Sequence, residues 1–317
     1  MSLLWGRTME LELSQDQALF QSSLDTLLAK YRQSPRDHAE YVQYSGDLQR
    51  ELGESGFFGI CLQDGFGPLD AALMTESIAR LPCSVEVAAS ALMRHALRHE
   101  LDGPVALCEG VHRPTRYLSC ARYAFILTTE GVRFAELQPQ DVRPLESVLA
   151  YPLGALKEMP TRSELLSAET SALVHMLWRI AIAAEAAGLM RGALDLTVNY
   201  VKERKQFDRP LSAFQAIRHR LSGDEQIVSA SFLLAMRAAC SLHPEDAATA
   251  ALYVQQHMRT VVYDCHQFTG AMGLTLEHPL HLWTYRLKLL QGELGGFSAQ
   301  AAALADAVWK SGKRKSH

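Results

Sequence analysis

The sequence predicts a mainly α chain in three parts: an N-terminal helical domain over 1–101, a small middle β domain over 102–160 and a C-terminal four-helix bundle over 161–317. Three observations carry this reading. Helix-period apolar patterns with N-caps and glycine stops fill both ends of the chain. Between them lie short β-branched and aromatic runs broken by Gly and Pro, which is the language of strands and hairpins. From Ser167 to Lys202 no proline interrupts a helical pattern too long and too apolar to stand without partners.

Taken in order, Ser14-Gln-Asp-Gln17 is a capping box opening a helix with apolar face Phe20, Leu24, Leu27, Leu28 and Tyr31, limited by Pro35. A second pattern, Tyr41 to Leu52, ends at Gly53 and Gly56, which suit C-terminal caps. The apolar run Phe57 to Leu62 and the glycine-rich Asp64-Gly-Phe-Gly-Pro68 follow, then two helical stretches, Leu69 to Leu81 and Ser84 to His99, separated by Pro82. Strand-like runs begin at Pro104, Arg116, Tyr123 and Val132. Ser167 caps the long helix; Ser212 to Leu242 makes the next, with Ser212 as N-cap and Gln215 in capping-box position. Pro244 stands at N1 of a third helix ending near Gly270, and Pro279 starts a fourth.

Composition bounds the class. A net charge of -4, with 48% hydrophobic and 21% charged residues over 317 positions, is that of an ordinary globular chain with no basic excess for nucleic acid. The one basic cluster is the tail Lys310 to Lys315, read as a solvated end. Six cysteines without C-x-x-C spacing argue against a disulfide framework or zinc ribbon and read as reduced. His95/His99 and His278/His281 lie at short helical spacings but outside any H-E-x-x-H pattern, so no metal is expected. Neither a signal peptide nor a run of about twenty uncharged apolar residues stands out, so no membrane and a cytoplasmic location are expected.

The most specific stretch joins the first two bundle helices. Arg204-Lys-Gln-Phe-Asp-Arg-Pro-Leu211 offers a guanidinium, an amide and an aromatic ring in a short turn, a donor set able to hold a phosphate and a flat heterocycle. Arg204 and Lys205 would equally suit any helix C-terminus, and Gln215 would equally serve only a capping box. With Tyr200 before it, the turn resembles the acyl-CoA dehydrogenase signature, Y-x-x-x-R-x-Q-F-G-x-P-L followed by a glutamine, with Asp208 in place of the usual glycine. Gln267-Phe-Thr-Gly-Ala-Met-Gly-Leu-Thr-Leu-Glu-His-Pro-Leu280 resembles the Q-x-x-G-G-x-G-x-T-x-E-x-P-L of the same family, with Ala271 at the second glycine. The N-terminal E-L-G-x-x-G-F-F-G and its glycine-rich loop also resemble that family. Its middle domain is longer, however, and carries T-E-P-x-x-G-S-D and W-x-T segments missing here, so the β domain is a shortened one.

The resemblance implies FAD as cofactor, with Arg204, Gln206, Phe207, Gln215, Gln267 and Gly270 reaching the flavin dinucleotide of an adjacent subunit. It implies a substrate-side role for Arg179, which stands in a stretch so apolar that it must line a cavity or meet a carboxylate. The family's base, a glutamate, occupies one of two positions; here these are Gly295 and Trp178, and Glu293 is the nearby candidate. The implied function is α,β-dehydrogenation of an acyl-CoA thioester at its CH–CH group, passing electrons to an electron-transfer acceptor. The chain would work as a homo-oligomer or as a heteromer with a longer acyl-CoA dehydrogenase chain. The alternatives are a non-catalytic or half-site subunit of such a partner, and a flavin oxidase or monooxygenase on the same fold.

Overall fold

Ser14 opens the first helix as expected: Gln17 N–H donates to its hydroxyl and its own N–H donates to the Gln17 side chain. In this computed structural model, which describes residues 13–33 and 40–313, α1 (Gln15–Leu28) buries Leu24 and Leu28. Pro35 and the tail past Lys313 lie outside the described residues. The second pattern becomes α2 (Gly46–Glu54), closed by Gly56 in the left-handed region at φ 75°, where a Cβ is disfavoured. Next come α3 (Pro68–Ala79) and α4 (Ala88–Leu97). The fourth helix begins at Ala88 rather than at Ser84 because the Glu86 carboxylate accepts from the Ala89 and Ser90 N–H groups and so fixes the first turn there.

The β region forms two small sheets. β1 (Val105–Cys108), β3 (Tyr123–Thr128), β4 (Gly131–Glu136) and β7 (Ser163–Leu165) make one, in the order β1-β3-β4-β7, with β1 and β3 parallel and the other pairs antiparallel. β2 (Thr115–Arg116), β5 (Val142–Leu145) and β6 (Leu153–Leu156) make the second, antiparallel throughout. Because β7 pairs with β4, sheet structure runs on to Leu165, past the expected boundary at 160.

Ser167 caps α5 (Ala168–Glu203) by accepting from Thr170 N–H. This 36-residue helix is the axis of the molecule. It is long and apolar enough to cross a membrane by composition, yet 83% of its most apolar stretch is buried against α3, α4, α6 (Gln215–Ser241), α7 (Pro244–Thr269) and α8 (His281–Leu290). Gly188 permits the approach of α3: a Cβ there would lie 2.2 Å from the Glu76 carbonyl. The region expected as one helix from Pro279 is two, α8 and α9 (Gly296–Lys313), split by a turn in which Leu294, Gly295 and Gly296 all have positive φ. α9 packs on α7, so α5, α6, α7 and α9 form the C-terminal bundle with α8 beside it.

The expectation for Ser212 is corrected. Leu211–Ala213 is a short 3-10 turn, Phe214 precedes the first helical residue, and no side chain caps α6. Ser212 is therefore no N-cap. Pro210, extended at φ -63° and ψ 149°, delays the helix by one tight turn.

Candidate functional site

The candidate residues fall at two places along α5. At its C-terminal end, β8 (Lys205–Gln206) and β9 (Arg209–Pro210) form a miniature hairpin whose two central residues, Phe207 and Asp208, have φ 52° and 58°. Two consecutive left-handed residues make the primed turn that suits a two-residue hairpin, but it is normally built from Asn and Gly. For a bulky aromatic residue this backbone is strained, and the Phe207 ring is nonetheless 86% exposed. Arg209 stacks its guanidinium 4.1 Å from the Phe214 ring centroid, stiffening the hairpin base. Arg204 caps α5 through its backbone, while among the described residues no side chain accepts from its guanidinium.

Successive antiparallel helices bring the start of α6 and the end of α7 to this same end. Arg220 of α6 pairs with Asp264 of α7 and lies over Phe268, and Tyr200 of α5 meets His278 beyond α7 edge-on at 5.6 Å. Gln215 and Gln267 are thus at the end that carries the hairpin, both exposed. Gly270 ends α7 at φ 61°, with nothing within 4 Å of where a Cβ would stand. All six cofactor candidates face solvent at one end of the bundle. An open backbone at Gly270, an uncommitted guanidinium, two amides and an exposed ring fit a dinucleotide's phosphates and flat rings.

The second place lies near the other end of α5. Glu293 points inward from the turn before α9 and is buried. Its carboxylate accepts from the indole N–H of Trp178 at 2.9 Å and from Arg116 Nε at 3.1 Å. Arg116, on β2, also donates through NH1 to Glu185 of α5 at 2.6 Å, and Glu185 accepts from the Tyr151 hydroxyl at 2.8 Å. Burial pushes the Glu293 carboxyl above its ordinary pKa, while Arg116 and the Trp178 N–H restrain the rise. Burial works to lower the Arg116 pKa, but Glu185 and Glu293 outweigh it and hold the guanidinium firmly charged. Of the two positions at which the resemblance implies a base, Trp178 donates to Glu293, and Gly295 lies two residues after Glu293 in the same turn.

The turn that presents Glu293 is pinned from three sides. Gln255 of α7 donates to the Glu293 carbonyl at 2.8 Å, Leu294 N–H donates to Glu109 at 2.7 Å, and Gln300 of α9 donates to the Leu294 carbonyl at 3.1 Å. Among the described residues Arg179 meets no carboxylate: its Nε donates to the amide oxygen of Gln300 at 2.7 Å, and burial holds its pKa below the ordinary value. Sequence reading did not single out Arg116, Glu185, Tyr151 or Gln300. Glu185 gave the same signal as Arg179, a charge inside an apolar helix; Arg116 gave none, since its partners are 69 and 177 residues away.

Trp178 and Glu203 are 25 residues apart on one helix, roughly 38 Å at 1.5 Å per residue. The hairpin and the Glu293 cluster of one chain therefore stand far apart along α5.

A long axial helix in a C-terminal bundle, a small two-sheet domain, and a hairpin with a glycine-ended helix at one bundle end make up the fold. Residues 171–307 match the family model described as "Acyl-CoA dehydrogenase, C-terminal domain". The chain is 36% identical over 107 residues to acyl-CoA dehydrogenase IpdE2 of Mycobacterium tuberculosis, a match spanning 34% of each chain. It therefore covers about a third of that relative's length. Among solved structures, the ChsE4–ChsE5 complex of Mycobacterium tuberculosis superposes with a TM-score of 0.78 at 18% identity, over 95% of this chain and 99% of that one. The Tcur3481–Tcur3483 steroid ACAD G363A variant gives a TM-score of 0.78 at 20% identity, over 94% and 99%. The C-terminal part of the chain is thus similar to the acyl-CoA dehydrogenase C-terminal domain, and the whole chain shares the fold of these solved structures.

Proposed function

We propose that this chain is an acyl-CoA dehydrogenase-like flavoprotein subunit that removes hydrogen from the CH–CH group α,β to an acyl-CoA thioester, with Glu293 as the base. The observation that carries this reading is the buried Glu293 carboxylate that accepts from Trp178, raised in pKa by burial and held by a pinned turn. A carboxylate so placed can take an α proton near neutral pH, a contribution of about a hundredfold to ten-thousandfold. FAD, when bound, supplies the acceptor for the hydride that leaves the β carbon. Arg204, Gln206, Phe207, Gln215, Gln267 and Gly270 would hold its dinucleotide portion, and the separation along α5 supports a cofactor shared with a neighbouring subunit's site. The electrons then pass to an external acceptor, and a cytoplasmic setting fits this reading. The test is anaerobic mixing of the purified assembly with acyl-CoA thioesters: bleaching of the flavin absorbance is expected, lost in Glu293→Gln without release of flavin. Unchanged bleaching in that variant overturns the assignment of the base.

A second reading is supported by the same cluster. Glu293 is already engaged by Trp178 and Arg116, and one solved structure that resembles this chain is described as a ChsE4–ChsE5 complex. On this reading the chain is a half-site subunit whose hairpin completes the flavin site of a longer partner. Co-purification with a longer family chain, together with a homo-oligomer that does not bleach, would select it.

A further inference from the structure

We propose that Arg116 is the positioning residue for the proton-abstracting carboxylate: forked between Glu185 and Glu293, it fixes where Glu293 points. The inference rests on the reading of Glu293 as the base. Arg116 uses different nitrogens for its two partners, NH1 at 2.6 Å from Glu185 and Nε at 3.1 Å from Glu293. Glu185 is the fixed side of the fork, since it belongs to the core of α5 and is held by the Tyr151 hydroxyl. Glu293 is the movable side, and only at its side chain, because its turn is tied down by Gln255, Glu109 and Gln300. When the Glu293 carboxylate turns toward a substrate, Arg116 keeps Glu185 as a partner, so no bare guanidinium is left in the core.

The walls of the cluster are apolar or committed elsewhere. The rings of Tyr117 and Tyr151 lie 5.8 and 5.7 Å from the Arg116 guanidinium. Arg286 of α8 donates to the carbonyls of Leu81, Cys83 and Leu282, and Glu86 caps α4. Two buried carboxylates therefore share one buried cation. Remove the cation and the two cannot both stay ionised, so one takes up a proton. Remove the charge on Glu185 and Glu293 has the cation to itself.

These two changes move Glu293 in opposite directions. Arg116→Gln raises the pKa of Glu293 and Glu185→Gln lowers it; a residue that only supports packing gives no such opposition. The experiment measures the acid limb of the flavin-reduction rate against pH in the assembled holoenzyme. Alongside, an infrared titration of the flavin-free chain follows the carboxyl band that Glu293→Gln removes. The expected results are an upward shift of about one to three pH units in Arg116→Gln and a downward shift in Glu185→Gln, by both readouts. Arg116→Lys, a point charge unable to fork, should fall between wild type and Arg116→Gln. Should Arg116→Gln fail to fold, Arg116→Lys and Glu185→Gln decide the sign. Shifts that are absent, or in the same direction, overturn the proposal. Opposite infrared shifts in a protein whose wild type never reduces its flavin would leave the placement of Glu293 by Arg116 standing and sink the catalytic reading instead.

Discussion

Arg179 and Gln300, 121 residues apart in sequence, meet at 2.7 Å, and Gln300 passes the contact on by donating to the Leu294 carbonyl. The arginine flagged by its apolar surroundings thus reaches the Glu293 turn through an amide. Arg179→Ala leaves a buried amide oxygen without a donor and should cost about 1–3 kcal/mol. Gln300→Ala should cost a similar amount, but the double variant less than the sum, because one contact is lost twice. Urea titrations of the four proteins measure the coupling; strict additivity would mean that the pair does not act together.

How much of this was readable in advance depends on how local the cause is. The capping box at Ser14, the Ser167 cap, Pro244 at N1 and the glycine at the end of α7 are set by neighbours within four residues, and the structure shows all four. The hairpin was readable as a ligand-shaped turn, although its strained Phe207-Asp208 corner was not. Ser212 misled because Pro210 and a 3-10 turn occupy the residues where a cap was expected. The Arg116–Glu185–Glu293 cluster joins a strand, the axial helix and a late turn, and no local pattern encodes which of these meet in space.

Trp178→Phe keeps the ring and removes only the N–H that Glu293 accepts. Glu293 then rises further in pKa, since that N–H is one of the groups restraining it. A folded carboxyl with a raised pKa binds its proton more tightly than the unfolded chain does, so its stabilising effect is present at low pH and is lost as pH rises through the folded pKa. Trp178→Phe should therefore be less stable than wild type by about 1–2 kcal/mol at neutral pH. The gap should narrow below the ordinary glutamate range, where both proteins carry a protonated Glu293. Denaturation curves at acid and neutral pH check this; a gap independent of pH would point to packing loss alone.

Asp224 of α6 gives a similar sign from a different place. Burial and then the neighbouring Asp264 push its carboxyl from 3.8 to about 7, with Arg220 opposing, and one of its oxygens is buried without a partner among the described residues. Stability held at pH 4 should be lost as pH rises toward 7. Asp224→Asn removes the charge at constant shape, so it should raise the melting temperature at pH 8 and make little difference near pH 4. A destabilised Asn variant at pH 8 would show that the ionised carboxylate is needed there.

The separation of the two half-sites along α5 gives the most direct test of assembly. If the proposed roles hold, Arg204→Ala loses a charge-assisted phosphate contact, which should weaken FAD binding by roughly tenfold or more while leaving Glu293 intact. Glu293→Gln removes the base and leaves the hairpin intact. If the hairpin of one chain serves the Glu293 site of another copy, neither variant is fully active, yet a mixed oligomer contains a site built from the intact Glu293 of one and the intact hairpin of the other. Refolding the two variants together at equal amounts should then restore about a quarter of the wild-type sites, because half the pairs are mixed and one of their two sites is whole. Flavin reduction by an acyl-CoA, read before and after co-refolding, measures this. No recovery, from variants of a wild type that is itself active, would place hairpin and base in the same chain's site. A wild type inactive alone but active with a longer family chain would instead assign the hairpin to that partner's flavin.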